Sequence, residues 1–379
     1  MKKIFSLLLL LSIALSFSAF QCSSTELTSA KLYIQQKNYP KAIESLEKEI
    51  TKNPKSDEGF YLLGFILGEQ GDIKRMLDNF SQSLTISNKF EKNIIESKRF
   101  HWADNFNKGV QLFNRGAKAG DTDSANVIFY KSIDRFNDAI MCEPDSADTY
   151  KNLAFSYLNI GDLSAAIPPY QKVVELTKSA DAYTQLGDLY IQKGLREKED
   201  GKETESKDSF DKAVKVLEEG RVMYPSDGEI LLLLSNAYIA SGKLEIAKDA
   251  FKEGVQQEPE NKYYRYNYGS LLLNANEYEE AVLHLAKAVE IDPEYENALY
   301  NLAVTYVKWG AEMRDEMEAS GNVTDDYKTK FNAAIPHLEK YLSIKPEESA
   351  VWDLLGKVYA NLGMTEKSEE AFKKADLYR

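Results

Sequence analysis

The side chains able to do metal, acid–base or thiol chemistry are few. The chain holds three histidines, His101, His284 and His337, and two cysteines, Cys22 and Cys142. A structural zinc site gathers its histidine and cysteine ligands at short, recurring spacings. These five residues lie far apart in sequence, so no metal site is expected. A nucleophilic thiol needs a base to draw off its proton. Cys142 has no histidine near it in sequence and reads as a small packed residue, and the histidines read as surface or seam residues. There is no glycine-rich phosphate loop, no His-Glu-X-X-His and no Gly-X-Ser-X-Gly. Trp102, Trp309 and Trp352 read as packing, and Asn322-Val323-Thr324 matches a glycosylation sequon. No catalytic group and no cofactor are expected.

Composition narrows the function classes further. With 47 Lys and Arg against 60 Asp and Glu, the formal charge is −13. A nucleic-acid surface needs a basic stripe, so none is expected here. The residues are 43% hydrophobic and 28% charged. That is enough apolar surface to fold.

Lys2 and Lys3 precede an apolar stretch over 4–20. This is the pattern of an export signal, which is assigned to 1–21. The stretch falls short of the roughly 20 residues of a membrane-spanning helix. It ends in Ser18-Ala19-Phe20-Gln21-Cys22, followed by Ser23 and Ser24. A cysteine at the end of an export signal resembles a bacterial lipoprotein. That resemblance implies lipid on the Cys22 thiol, with Cys22 left as the first residue after cleavage. It places the chain in the cell envelope, on a membrane through the lipid alone, at the outer membrane facing the periplasm. Ordinary cleavage after Ser18 or Ala19 is the other reading and leaves a secreted or periplasmic protein. An acylated Cys22 would not be available for a disulfide with Cys142.

The elements that must carry any function repeat along the rest of the chain. Pro225, Pro259 and Pro293 are 34 apart, and Gly71-Asp72, Gly161-Asp162 and Gly242-Lys243 recur at matching places. Apolar residues fall three and four apart within each unit, as in Leu299, Leu302, Ala303 and Tyr306. That spacing predicts helices. Small residues recur early in the first helix, at Ala30, Gly64, Val110, Ala154, Gly187, Ser235, Gly269, Ala303 and Gly356. Large ones recur in the second helix, at Leu46, Phe80, Phe136, Tyr170, Leu217, Phe251, Leu285, Leu338 and Phe372. Small residues let two helices approach closely, glycine allows the reversal between them, and proline stops the second helix. The unit resembles the tetratricopeptide repeat, with small residues at positions 8 and 20, large ones at 11 and 24 and Pro at 32. The resemblance covers nearly everything after Ser24. It implies an all-α fold, a right-handed superhelix (an α-solenoid) of about nine helical hairpins over 22–379. The approximate units are 23–56, 57–90, 91–146, 147–179, 180–227, 228–261, 262–295, 296–348 and 349–379.

Three units are stretched between their helices. From Tyr190 to Ala213 the count is 23 where the repeat has 9, so 23 − 9 = 14 are extra. Phe113 to Ser132 carries 10 extra by the same arithmetic, and Tyr306 to Ala334 carries 19. Residues 91–102 are expected to lengthen the first helix of the third unit. The inserts read either as elongated hairpins forming a crest on one edge or as solvated loops.

In this repeat family positions 2, 5, 6, 9 and 12 of the first helix usually face a groove. Position 6 holds Asn152, Gln185, Asn267 and Asn301, and the neighbouring candidates are Asn236, Tyr263, Tyr266, Asn297 and Tyr300. Amides both donate and accept, so a ladder of them can pair with a peptide backbone, and tyrosines supply rigid contact area. A carboxylate clamp needs cations, and these are missing beside Asn297 and Asn301. The expectation is a non-catalytic scaffold that binds peptide segments or protein partners, with a secreted carbohydrate-binding component or accessory subunit of an enzyme as the alternative.

Overall fold

Several first helices start where a short polar side chain can satisfy backbone N–H groups that have no helical partner. Ser24 accepts from the amide of Leu27 at 3.0 Å, Ser56 from Gly59 at 3.2 Å and Ser179 from Ala182 at 3.3 Å. The reversal between helices uses a left-handed residue. Gly71 has φ 81°, and Lys37 and Asn276 take the same place at φ 55° and φ 61°.

The computed structural model describes residues 24–321 and 324–379. The export signal, Cys22 and Asn322 and Val323 of the sequon lie outside the described residues. Among the described residues there are 18 helices and no strand. They pair as α1 (Thr25–Gln35) with α2 (Tyr39–Lys52), α3 (Asp57–Glu69) with α4 (Ile73–Ile86), α5 (Glu91–Gly116) with α6 (Thr122–Cys142), and α7 (Ala147–Asn159) with α8 (Leu163–Thr177). These form one compact unit, which ends at Leu176. The second unit, from Thr177 on, holds α9 (Ala180–Glu199), α10 (Glu203–Met223), α11 (Gly228–Ala240), α12 (Leu244–Gln257), α13 (Lys262–Asn274), α14 (Tyr278–Ile291), α15 (Glu296–Ser320), α16 (Tyr327–Ile344), α17 (Ser349–Asn361) and α18 (Thr365–Leu377). Within each unit, successive hairpins pack on one another.

A close approach inside the hairpin sets the geometry. A Cβ on Gly64 would lie 2.7 Å from the Phe80 ring, one on Gly187 2.5 Å from Leu217, and one on Gly356 2.7 Å from Phe372. Phe80 and Leu217 are fully buried as a result. Filling such a notch with a large apolar side chain contributes about 1.5–3 kcal/mol. In the third hairpin the notch is Gly109, whose Cβ would lie 2.6 Å from Phe136, and not the neighbouring Val110 expected from the spacing. Ser132 confirms the register by donating from Oγ to the Gly109 carbonyl at 2.8 Å.

The three stretched units are elongated hairpins and not loops, and residues 91–102 do begin a longer first helix. They have 26 and 21 residues in α5 and α6, 20 and 21 in α9 and α10, and 25 and 18 in α15 and α16. Each extension repeats the notch seven residues on, which is two helical turns and so the same face. Gly109 against Phe136 is followed by Gly116 against Phe129, and Gly187 against Leu217 by Gly194 against Phe210. In the eighth hairpin Ala303 and Leu338 share a core cluster, and Gly310 then faces Phe331, with 3.5 Å from its would-be Cβ to the ring.

The residues set aside as structural sit in seams. The His101 ring lies against Gly68, His284 packs 4.6 Å from the Tyr268 ring, and His337 stacks on Tyr306 at 6.0 Å. Burial lowers the pKa of all three below the usual histidine value. Cys142 is a free thiol, 1% exposed, and burial pushes its pKa to about 12. That removes its nucleophilicity.

The heptad makes the extensions separable from the hairpins that bear them. Deleting residues 195–208 returns Tyr190 and Ala213 to the spacing of an ordinary unit. The shortened chain is expected to keep its helical circular dichroism and a cooperative melt within about 5 °C of the parent. Loss of the cooperative transition would show that the outer notch is integral to the fold.

Candidate binding site

The first helices α9, α11, α13 and α15 contact one another in series within the second unit, so their matching faces adjoin. The side chains that distinguish this face lie on α13 and α15. Asn261 caps α13, its Oδ1 accepting from the amides of Tyr263 at 2.9 Å and Tyr264 at 3.4 Å. From that start, helical periodicity puts Tyr263, Tyr266, Asn267 and Ser270 on one side. The Tyr263 ring lies against Gly228 of α11, where a Cβ would come within 2.4 Å of it.

Tyr295 completes an aromatic cluster. Its ring centroid is 6.0 Å from that of Tyr263 and 5.1 Å from that of Tyr266. Lys262 Nζ stands over both Tyr263 and Tyr295, at 5.1 and 5.2 Å, and is held there by Asp292 at 2.6 Å. Such cation–π contacts favour a fixed ammonium over the ring faces. Tyr266 and Tyr295 are phenols whose pKa burial raises, so both are neutral donors at physiological pH. Further along α15, Tyr300 remains 37% exposed and lies 6.0 Å from Tyr341 of α16.

The amides expected to form a ladder differ in what they meet. Asn267 is 1% exposed; its Nδ2 donates to the Tyr263 carbonyl at 2.9 Å, and its Oδ1 has no hydrogen-bond partner among the described residues. Asn301 donates to the Tyr266 hydroxyl at 3.3 Å and to Ser270 Oγ at 2.8 Å. The reason is packing between first helices: Asn267 is buried within α13, and Asn301 of α15 is spent on Tyr266 and Ser270 of α13. Asn152 belongs to the first unit and donates to its own helix, at the Asp148 carbonyl, 2.8 Å away. Gln185 on α9 is half-buried, whereas Asn236 on α11 and Asn297 on α15 are exposed. The structure therefore joins Asn301 to Tyr266 directly and Tyr263 to Tyr266 through Tyr295, and leaves Asn236, Asn297 and Tyr300 as the accessible members.

Sequence reasoning missed Tyr295, Lys262 and Ser270. A signal for Tyr295 was present. Positions 227, 261 and 295 are spaced by 34 and are the N-caps of α11, α13 and α15, occupied by Asp, Asn and Tyr. Asp227 and Asn261 make side-chain cap bonds, whereas Tyr295 makes none. A cap of this kind stabilises a helix by about 1 kcal/mol, so an aromatic there gives up local stability for a contact made elsewhere.

Residues 232–296 match a family profile described as tetratricopeptide repeat, and residues 349–378 match another of the same description. The TPR repeat-containing protein YpiA of Bacillus subtilis (strain 168) is 24% identical over 339 residues, covering 87% of this chain and 72% of that protein. The peroxisomal targeting signal receptor of Candida albicans is 23% identical over 193 residues, covering 51% of this chain and 32% of the receptor. Among solved structures, MamA 41-end from Desulfovibrio magneticus RS-1 aligns at 21% identity with a TM-score of 0.35, over 51% of this chain and 94% of that chain.

Asn301 ties α15 to α13 through two hydrogen bonds. Asn301→Ala leaves the Tyr266 hydroxyl and Ser270 Oγ without that partner, and is expected to lower the unfolding free energy by about 1–2 kcal/mol in urea denaturation. A change within error would mean that both hydroxyls find other partners.

Proposed function

We propose that this chain is a non-catalytic scaffold that binds an extended peptide segment or a protein partner along the α13–α15 face of its second unit. The observation that carries the reading is the exchange at Tyr295. A helix cap is given up for an aromatic residue that packs on Tyr263 and Tyr266, on the pair of helices that also exposes Tyr300 and Asn297. Local rules are broken where function needs it, and a braced aromatic surface binds with little loss of side-chain freedom. The family matches support binding of protein partners in general. One relative is by its name a receptor for a targeting signal.

We further infer a place in the cell envelope, held by lipid on Cys22. The support is the sequence of the first 22 residues alone. No described helix is long and apolar enough to cross a membrane. Attachment in this reading therefore comes from the acyl chains.

Capture from detergent-solubilised envelope with the full chain as bait tests the binding face. A protein partner is expected, and the double change Tyr300→Ala with Asn297→Ala is expected to weaken its capture at least about tenfold, the weight of a central aromatic anchor. Retention of a soluble glycan on an array, with no protein captured, would support a carbohydrate-binding component instead. Metabolic labelling with a fatty-acid analogue tests the anchor. Label is expected on the parent and absent from Cys22→Ser; an unlabelled parent discards the lipid.

A further inference from the structure

The eighth and ninth hairpins differ by one ring in the seam behind the first helix. In the eighth, Tyr306 of α15 stacks on His337 of α16, with centroids 6.0 Å apart and planes 7° from parallel. The hairpins can be aligned on their notches, Ala303 with Gly356 and Leu338 with Phe372. Tyr306 then corresponds to Tyr359, since each lies three residues after its notch. His337 corresponds to Ala371, each being the residue before the notch-filling side chain. The tyrosine is kept and the ring that stacks on it is missing.

A cavity of about 400 Å³ lies there, lined by both Tyr359 and Ala371. Its apolar wall is built from Leu342, Leu355 and Ala371, exposed by 4%, 2% and 3%, together with the Trp352 ring. Two carboxylates line it and both are occupied. Glu339 accepts from the Tyr359 hydroxyl at 2.8 Å, and Glu370 pairs with Lys374 at 3.2 Å, whose ammonium stands 4.4 Å over Trp352. Lys367 also lines the cavity, 5.4 Å over the Tyr359 ring, and makes no ion pair among the described residues. The cavity sets an apolar wall against several charged and polar groups, so an occupant that carries both a ring and a charge matches its lining.

We propose that this cavity binds a small aromatic carboxylate. The ring takes the place that His337 holds in the eighth hairpin, against Tyr359, and the carboxylate pairs with Lys367. The site is separate from the α13–α15 face and does not rest on the function proposed for it. A ligand of this size is expected to bind with Kd of roughly 0.1–1 mM.

The test is titration of the full chain with 4-hydroxyphenylacetate and indole-3-acetate, followed by calorimetry and by the amide spectrum of an isotopically labelled protein. Saturable binding to one site is expected for at least one acid. Ala371→His supplies the ring that hairpin eight already carries, and is expected to abolish binding while leaving the melt unchanged. Lys367 is exposed, so Lys367→Ala tests the site even if the first variant does not fold. It is expected to weaken the acid about threefold, the weight of an exposed ion pair, and to leave the matching amide unaffected. Absence of saturation by either acid up to about 10 mM overturns the proposal. So does undiminished binding by folded Ala371→His, or an equal affinity for acid and amide.

Discussion

A glycine facing a large side chain from the other helix is the contact on which the rest of this structure depends. At Gly64, Gly187 and Gly356 a Cβ would stand within 2.5–2.7 Å of a ring or a leucine, well inside van der Waals contact. Protein interiors do not yield easily to such overlap, because they are already close-packed. In these hairpins the missing methyl sets how near the two helices lie and which way each is turned, and elsewhere the small residues Ala30, Ala154, Ser235 and Ala303 hold the same place, all buried. Once that is set, the remaining faces of the first helix are assigned: one side meets the next hairpin and another is left for recognition. The elongated hairpins place a second small residue against a large one seven residues further on, so their extra length adds a second joint of the same kind.

The α13–α15 face shows how a regular array acquires an irregular patch. The first helices α9, α11 and α13 are capped by Ser179, Asp227 and Asn261, and at α15 the polar cap gives way to the ring of Tyr295. That ring is wedged between Tyr263 and Tyr266, and Lys262 is pinned above by Asp292. Asn267 is buried on the same helix, and Asn301 is committed to Tyr266 and Ser270. These amides are therefore spent within the first helices, and the exposed side chains are Tyr300, Asn297 and Asn236. A surface whose side chains are already held loses less freedom when it is covered.

The ninth hairpin makes a related point about substitutions inside repeats. Replacing the seam ring of the eighth hairpin by Ala371 leaves the backbone arrangement intact while opening a cavity beside Tyr359 and Trp352. Because the joint at Gly356 and Phe372 carries the hairpin, positions beside it are free to vary, and such positions are where repeat proteins can gain sites one at a time.

Much of this was legible in the residues themselves. The spacing of Pro225, Pro259 and Pro293, the turn glycines and the alternation of small and large side chains fix hairpins, their number and their stops, because each is a property of one or two turns of chain. The heptads of the extensions were legible too, in Gly109 and Gly116 or Gly187 and Gly194, but a search at the longer period passes over them. Shifting the third notch from Val110 to Gly109 needed only the Phe136 contact to be seen. What tertiary structure alone decided is which polar groups are left over. Whether Asn301 faces solvent or the Tyr266 hydroxyl depends on the distance between residues 35 positions apart, in different hairpins. A helix's periodicity determines only the side on which a residue lies. What that residue meets is set by how closely the neighbouring hairpin is allowed to stand.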